Sequence, residues 1–171
     1  MASPRVAIVM GSDSDWKTLS SASEVLDSFG INHVVKVLSA HRMPNEMAAF
    51  AKKASSQGLM VIIAGAGGAA HLPGMIASHT TLPIIGVPVP LKELEGLDSL
   101  LSIAQMPAGV PVATVGIGNA RNAALLAARI IALSNPKIAR KVQSYKGRIR
   151  KNAIEKGKAL EKLRRVKKTK Q

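Results

Sequence analysis

The 171-residue sequence contains no cysteine, and this absence excludes several kinds of chemistry. Without thiols there is no disulfide framework, no thiolate nucleophile and no zinc site built on cysteine. No apolar run approaches the roughly 18 residues that a membrane-spanning helix needs. The first five residues contain no basic segment followed by an apolar one, so no secretory signal is expected. We therefore expect a cytoplasmic protein that makes no contact with a membrane.

Aromatic side chains are also scarce, at 2% of the sequence. The core must therefore be built from aliphatic residues, and the 47% of hydrophobic residues is enough for one. The chain length indicates a single domain with a sizeable core. The aromatic residues are Trp16, Phe29, Phe50 and Tyr145.

Several common catalytic motifs are missing as well. The first strand-like run is not followed by Gly-x-Gly-x-x-Gly, and no Gly-x-x-x-x-Gly-Lys-Ser/Thr occurs. Both absences argue against a dinucleotide or a bound nucleoside triphosphate. The Gly-x-Ser-x-Gly elbow of many Ser-His-Asp hydrolases is absent too. With four histidines and no His-Glu-x-x-His, a metal site is not expected.

Acidic residues are rare at the C-terminal end, and this explains the net charge of +14. Residues 136–171 hold 15 of the 24 Lys and Arg residues but only 2 of the 10 Asp and Glu residues, whereas residues 1–135 are nearly neutral. A basic segment of this kind is usually a solvated helix that attracts polyanions at low salt. It lacks the interleaved aromatic residues that stack on bases, so specific nucleic-acid binding is not expected.

The apolar pattern predicts short buried strands that alternate with helices. Strands are predicted over residues 6–10, 33–38, 60–64, 82–89 and 111–117. Helices are predicted over 15–28, 44–56, a short segment after Pro73, 97–105, 119–133 and 136 to the end. The alternation implies a flavodoxin-like three-layer α/β/α sandwich with a parallel five-stranded sheet. We expect a catalytic domain over residues 1–135 and a basic helical extension over 136–171 that is not an independent domain.

Three unusual segments follow the first three strands: residues 11–15, 39–42 and 65–74. In doubly wound sheets, ligands bind beyond the carboxyl ends of the strands, where the strand order reverses. The first and third strands are the expected neighbours at that point, and the second strand lies beside them. The three segments therefore predict one site at one edge of the sheet.

The first segment combines hydroxyl groups, helix N-terminal N–H groups and carboxylates. The hydroxyls of Ser12 and Ser14 and the N–H groups suit a phosphate, while Asp15 can accept hydrogen bonds from ribose hydroxyls. Helix capping alone is the alternative interpretation, although capping requires only one such residue.

The second segment places a proton-transfer group beside a fixed cation. Arg42 can hold a phosphate with two parallel hydrogen bonds, and His41 can give and take a proton near neutral pH. A structural histidine beside a solvated arginine is the alternative interpretation. The position of both residues after a strand favours function.

The third segment has almost no side chains until it reaches a histidine. Gly67, Gly68 and Ala69 let backbone N–H groups approach a ligand closely. We expect His71 to lie in or beside the site, with bracing of the loop as the alternative. His33 and His79 are predicted to be structural or on the surface.

At these segments the chain resembles the PurE family, the catalytic subunits of phosphoribosylaminoimidazole carboxylase. The similarity runs from about residue 5 to residue 133 and consists of several motifs in the same order. These motifs are Gly11-Ser12-Asp13-Ser14-Asp15-Trp16, Ser39-Ala40-His41-Arg42, the stretch from Gly65 to Met75, Gly86-Val87-Pro88-Val89, the stretch from Asp98 to Pro107, and Gly109-Val110-Pro111-Val112.

The resemblance implies an enzyme of purine biosynthesis that acts on a small ribonucleotide. One class of the family is a mutase that moves a carboxylate from the exocyclic nitrogen of carboxyaminoimidazole ribonucleotide to a ring carbon. The other class carboxylates aminoimidazole ribonucleotide directly with carbon dioxide. Ser-Ala-His-Arg with a proline two residues later resembles the mutase class, because direct carboxylases more often carry lysine in place of Arg42. A non-catalytic mononucleotide-binding module is a distant alternative.

The same resemblance implies a role for each site residue. His41 would be the general acid and base, and Ser12, Asp15 and Arg42 would contact the substrate. Ser39 and the glycine-rich segment would complete the pocket, with backbone N–H groups at residues 67–70 available to stabilise developing charge. No metal or organic cofactor would be required. The family also implies a homo-octamer and a separate ATP-dependent synthetase that supplies the substrate.

Overall fold

A computed structural model describes the backbone of residues 5–168 and the side chains of residues 5–164. Five strands and six helices alternate along it. The strands are β1 (Val6–Met10), β2 (His33–Val37), β3 (Val61–Gly67), β4 (Ile84–Val89) and β5 (Ala113–Thr114). The helices are α1 (Trp16–Phe29), α2 (Pro44–Lys53), α3 (Leu72–Ala77), α4 (Leu97–Ala104), α5 (Ala120–Ala132) and α6 (Pro136–Lys168), and a 3₁₀ turn (Asp13–Asp15) precedes α1.

The strands form one parallel sheet in the order β2-β1-β3-β4-β5. This confirms the predicted flavodoxin-like fold and the pairing of the first and third strands. In that pairing Val6 of β1 lies opposite Val61 of β3. The order reverses between β1 and β3, so the segments that follow these two strands leave the sheet side by side.

The side chains of β1 show how the two faces of the sheet are covered. Val6, Ile8 and Met10 pack into a core with α1, α5 and the start of α6. Ala7 and Val9 point to the opposite face and pack with residues of α2, α3 and α4. Because the inner strands are buried on both faces, their sequences are continuous apolar runs without alternation.

Two strand predictions need correction. β3 does not end at residue 64 but continues through Gly65, Ala66 and Gly67, so part of the glycine-rich segment is strand rather than loop. β5 is confined to two residues instead of the predicted 111–117. Pro111 before β5 and Pro88 on the neighbouring β4 have no N–H to donate, which shortens the ladder at this edge of the sheet.

The first and last helices also differ in detail from the prediction. The helical periodicity predicts Trp16 on the buried face of α1, but 38% of it is exposed, whereas Leu19 and Leu26 are fully buried. α6 packs on the core through Ile138, Val142 and Tyr145. Every residue from Lys146 to Arg164 is exposed. Among the helices described, none is both long enough and apolar enough to cross a membrane.

Candidate active site

The three predicted segments meet at one cavity beyond the carboxyl ends of β1, β2 and β3. Its volume is about 410 Å³, within the range of roughly 300–1,000 Å³ that small-molecule sites occupy. All of the predicted site residues line it except Gly68, which lies between two lining residues. The lining residues are Gly11, Ser12, Ser14, Asp15, Ser39, Ala40, His41, Arg42, Ala66, Gly67, Ala69, His71, Leu72 and Leu91.

The first segment is held in shape by its own hydrogen bonds. The N–H of Ser12 donates to Oδ2 of Asp15 at 3.1 Å, and the hydroxyl of Ser14 donates to Oγ of Ser12 at 3.0 Å. The bond from Ser12 to Asp15 and a further one from the N–H of Ser14 to Oγ of Ser12, at 3.4 Å, form a capping box at the 3₁₀ turn that leads into α1. Capping and ligand binding are therefore compatible, because the same residues that cap the turn also line the cavity.

Asp15 is the buried charged group of the site, with 8% of the residue exposed. Burial raises the pKa of its carboxyl group above the usual value. The backbone N–H groups of Ser12 and Gly11 act in the opposite direction, as does the charge of Arg42 to a smaller extent. Asp15 is therefore a fixed acceptor in the wall of the cavity, where a hydroxyl donor would satisfy it.

Arg42 links the segments that follow β1 and β2. Its Nη2–H donates to the carbonyl of Gly11 at 3.0 Å, and Nε–H donates to Oγ of Ser39 at 3.2 Å. Ser39 is buried and also accepts from the backbone N–H of Arg42 at 3.3 Å. Arg42 is the one Lys or Arg residue among those that line the cavity. Its guanidinium group is thus held in position for an anion.

His41 and His71 form a direct hydrogen bond across the cavity. Nε2 of His41 lies 2.8 Å from Nδ1 of His71, and the rings meet edge to face with centroids 4.9 Å apart. Such a bond requires that one of the two facing nitrogens carries the proton and the other accepts it. The pair therefore shares a proton between two residues that are 30 positions apart in the chain.

The remaining histidines are arranged differently. Nε2 of His33 lies 2.7 Å from Oγ of Ser23, and Nδ1 lies 3.1 Å from the carbonyl of Ile31. The contact with Ser23 joins β2 to α1, and neither His33 nor His79 lines the cavity. Within residues 5–168, no group of three or more His, Cys, Asp or Glu side chains is arranged to hold a metal ion.

The glycine-rich segment contributes less free N–H than the sequence suggests. The N–H of Gly68 donates to Oγ of Ser99 at 2.9 Å, and that of Ala70 donates to the carbonyl of Gly68 at 2.8 Å. Both groups already have partners, so the expectation that residues 67–70 all present N–H groups to a ligand is corrected. Gly68 instead supplies a left-handed backbone conformation with φ of +64°.

Two residues that the sequence analysis did not single out shape this wall. Leu91 lines the cavity, and a Cβ atom on Gly67 would lie only 3.0–3.1 Å from its side chain. Ser99 is fully buried and joins two segments, since it accepts from Gly68 and donates to the carbonyl of Val89 at 2.8 Å. In the sequence Leu91 is just one apolar residue after a strand. Ser99 lies in one of the PurE-like motifs, but only the fold brings it to the site.

Comparison with known proteins identifies the family. The AIR carboxylase family matches residues 5–152 of the chain. The N5-carboxyaminoimidazole ribonucleotide mutase of Thermotoga maritima is 57% identical over 160 residues, which are 94% of each chain. The protein of the same name from Aquifex aeolicus is 61% identical over 139 residues, covering 81% of this chain and 83% of the relative.

Solved structures give the same result. The crystal structure of Treponema denticola PurE superposes with a TM-score of 0.81 at 32% identity, covering 89% of this chain and 95% of that one. The crystal structure of a variant of PurE2 from the same organism gives a TM-score of 0.82 at 31% identity, covering 90% and 96%. The motif-based resemblance is thereby confirmed, and the chain is an enzyme of the AIR carboxylase family.

Proposed function

We propose that this enzyme moves a carboxylate from the exocyclic nitrogen of carboxyaminoimidazole ribonucleotide to a carbon of the same ring. The observation that carries the proposal is the 2.8 Å contact between His41 and His71 inside a cavity of nucleotide size. The reaction needs a proton delivered at one atom and removed at another, and it needs a wall that retains carbon dioxide. Relatives named for this mutase activity support the assignment.

The polar end of the cavity is the proposed site of the ribose phosphate. Ser12, Ser14 and the N–H groups of Arg42 that are not bonded to Gly11 or Ser39 are the proposed phosphate donors. Asp15 is the proposed acceptor for a ribose hydroxyl, because a carboxylate can accept the hydrogen bond that the hydroxyl donates without moving. Binding the phosphate at this end directs the base towards His41.

The chemistry needs one imidazole and no net change in protons. First, the bond between the exocyclic nitrogen and the carboxylate breaks, carbon dioxide is released, and His41 donates a proton to the nitrogen. The ring carbon then attacks carbon dioxide and forms the new carbon–carbon bond. Finally His41 removes the proton from that carbon, which restores the aromatic ring. The proton given in the first step is regained in the last, so a single group serves both steps.

His71 is the proposed hydrogen-bond partner that orients the imidazole of His41 before substrate binds. Before substrate binds, the facing nitrogen of His71 receives or returns the shared proton. When substrate enters, its exocyclic nitrogen takes the place of His71 as acceptor. Gly67 and Ala69, with Leu72 and Leu91, form the rest of the wall around the reacting atoms. Carbon dioxide fits such an apolar wall because it carries no net charge.

The alternative is direct carboxylation of aminoimidazole ribonucleotide with dissolved carbon dioxide. In that reaction His41 only removes a proton, which the enzyme must then release to solvent. An assay with each ribonucleotide as the single nucleotide substrate distinguishes the two reactions. Rapid product formation from carboxyaminoimidazole ribonucleotide supports the mutase. Product formed only from aminoimidazole ribonucleotide with bicarbonate contradicts it. The names of the curated relatives favour the mutase.

His41→Asn tests the role of the imidazole. Loss of a general acid and base is expected to lower kcat by roughly 10²- to 10⁴-fold, while substrate binding, followed by calorimetry, stays within a fewfold of wild type. His79→Asn makes the same change outside the cavity and is expected to leave kcat unaltered. Normal turnover by the His41 variant would refute the mechanism.

The proposal extends to assembly and setting. Leu94, Leu97 and Leu101 are at least half exposed, with Leu97 and Leu101 one turn apart on α4 and Leu94 in the turn that precedes it. Exposed leucines in this arrangement support burial against other copies, and we expect a homo-octamer of the 17.9 kDa chain by analytical ultracentrifugation. As the resemblance to the PurE family implies, we propose that a separate ATP-dependent synthetase in the cytoplasm supplies the carboxyaminoimidazole ribonucleotide. The extension over residues 136–171 is expected to be unfolded without the catalytic domain.

A further inference from the structure

The second half of α6 is a projecting helix that the proposed reaction does not use. Residues 146–168, here called the projecting segment, follow the last side chain that packs on the core, Tyr145. At a rise of about 1.5 Å per residue they extend roughly 35 Å from the body. The family model matches as far as residue 152, and the relative from Thermotoga maritima aligns over 160 residues of the chain, so at least the first part of the segment is shared with relatives. No residue of the segment lines the cavity, so the proposed reaction gives it no role.

The projecting segment carries a large excess of positive charge. It contains eleven Lys or Arg residues and two Glu residues. At about 100° per residue, Lys146, Lys151, Arg148 and Lys156 lie at about 0°, 140°, 200° and 280° around the helix axis, with no gap wider than about 140°. Two of these cations have partners: Nζ of Lys151 lies 4.0 Å from Oε1 of the exposed Glu155, and Cζ of Arg148 lies 5.3 Å from the centroid of the Tyr145 ring. The segment thus presents cations on all sides.

This arrangement argues against two of the available partners. A second copy of the segment would bring like charges together. An anionic membrane favours a helix with one clean apolar face. Here Ile149, Leu160 and Leu163 do share a face, but Lys156 lies in the middle of it.

The shape and composition of the projecting segment favour one class of nucleic acid over the others. Single strands are bound by stacking on aromatic side chains, and the projecting segment has none. The major groove of A-form RNA is too narrow for a helix. The major groove of B-form DNA, about 12 Å wide, accepts an α-helix with its side chains. Phosphates then lie on both sides of the helix, which matches cations that point in all directions.

We propose that the projecting segment of α6 docks on double-stranded DNA through the phosphate backbone, without sequence preference. Because the proposed contacts are with phosphates, affinity comes from counterion release. The proposal is independent of the mutase assignment, because the segment and the cavity share no residue. Docking would hold the enzyme on DNA and leave the cavity accessible.

The test compares two variants of the full-length protein that remove equal charge. One replaces Arg150, Lys158 and Lys162 of the projecting segment by glutamine. The control replaces three exposed cations of the body, Lys36, Lys52 and Lys53, by glutamine. Binding to a labelled DNA duplex of about 20 base pairs is followed by fluorescence anisotropy between about 50 and 200 mM salt. Turnover of each variant is measured in the same samples.

We expect the first variant to bind DNA at least about tenfold more weakly at the lowest salt concentration. The slope of log K against log salt should fall by about one for each phosphate that is no longer neutralised, hence by about three. The control variant should stay within about twofold of wild type, and turnover should be unchanged in both. Equal weakening in the two variants would mean that net charge alone attracts DNA and would overturn the proposal. Tighter binding to an RNA duplex, or to phosphatidylglycerol vesicles, would overturn it as well.

Discussion

Replacing Ser99 by alanine removes the buried hydroxyl that joins the glycine-rich segment to the end of β4. In the wild type its oxygen accepts from the N–H of Gly68 at 2.9 Å and its proton goes to the carbonyl of Val89 at 2.8 Å. Ser99 itself is fully buried, so no solvent replaces the missing group. The substitution leaves a donor and an acceptor without this partner on the two segments that lead to His71 and Leu91.

The expected cost follows from the burial of the two groups. Val89 is buried, and leaving its carbonyl unpaired costs about 1–3 kcal/mol. Gly68 is half-buried, and removing the bond of its N–H costs about 0.5–1.5 kcal/mol. Alanine recovers about 0.5 kcal/mol through its higher helix propensity on α4. The free energy of unfolding should therefore fall by about 1–4 kcal/mol.

The effect on catalysis should exceed a simple decrease in stability. The glycine-rich segment leads directly into His71, and misplacing a reacting group by about 1 Å can cost about a hundredfold in rate. We expect kcat to fall by at least about tenfold while KM changes by less than about threefold, since the proposed phosphate donors lie on other segments. Ser102→Ala on the same helix is the matched control, because it makes the same chemical change away from the glycine-rich segment.

Urea unfolding at fixed protein concentration and steady-state kinetics together test this reasoning. If Ser99→Ala unfolds at the same urea concentration as Ser102→Ala and keeps the wild-type kcat, the hydroxyl neither stabilises nor positions the segment. A decrease in stability with an unchanged kcat would leave Ser99 a structural residue only.

Three further predictions concern other parts of the site. Leu91→Ala opens the apolar wall, so ¹³C from labelled bicarbonate should enter the product, as followed by mass spectrometry, whereas Leu133→Ala, which changes a leucine that is 89% exposed and outside the cavity, should not allow it. Because burial raises the pKa of Asp15, wild-type stability from this group is present at low pH and is lost as pH rises above about 4. The free energy of unfolding of Asp15→Asn should therefore increase relative to that of wild type between about pH 4 and pH 7. A difference between the two free energies that does not change with pH would contradict the burial argument. Gly65→Ala places a Cβ atom 2.6 Å from Cδ1 of Leu19 and should cost about 1–3 kcal/mol, whereas Gly116→Ala, with no atom closer than 4.0 Å, should change stability little in the same urea assay.

Much of the fold follows from short-range patterns. The buried strands β1 and β4 are continuous apolar runs, and the helices between them end at recognisable signals such as Gly30, which adopts φ of +65°. The pairing of the first and third strands follows from the general rules for parallel sheets. The length of β5 does not follow from local patterns, because one of the two prolines that shorten its ladder, Pro88, lies on the neighbouring strand β4 and not in the local sequence.

The site was predictable where chemistry lies next to a strand end. Ser12, Asp15, His41 and Arg42 each closely follow a strand, and the fold brings all four to one cavity. Ser99 was not predictable in this way, because its partners are 10 and 31 residues away along the chain. The hydrogen bond between His41 and His71 likewise depends on the approach of two loops, which the residue types alone do not indicate.

The glycines of the glycine-rich segment have two different structural roles. Gly65 belongs to β3 and lets Leu19 of α1 pack against the sheet, where any side chain would collide. Gly67 lies at the end of the same strand, lines the cavity and makes room for Leu91, whose side chain would lie only 3.0–3.1 Å from a Cβ atom there. Since Leu19 lies one turn after Asp15 in the chain, a larger residue at position 65 would push the helix whose first turn positions that carboxyl group. Packing of the sheet and the geometry of the site are therefore coupled through α1, and a defect at Gly65 should weaken substrate binding as well as folding.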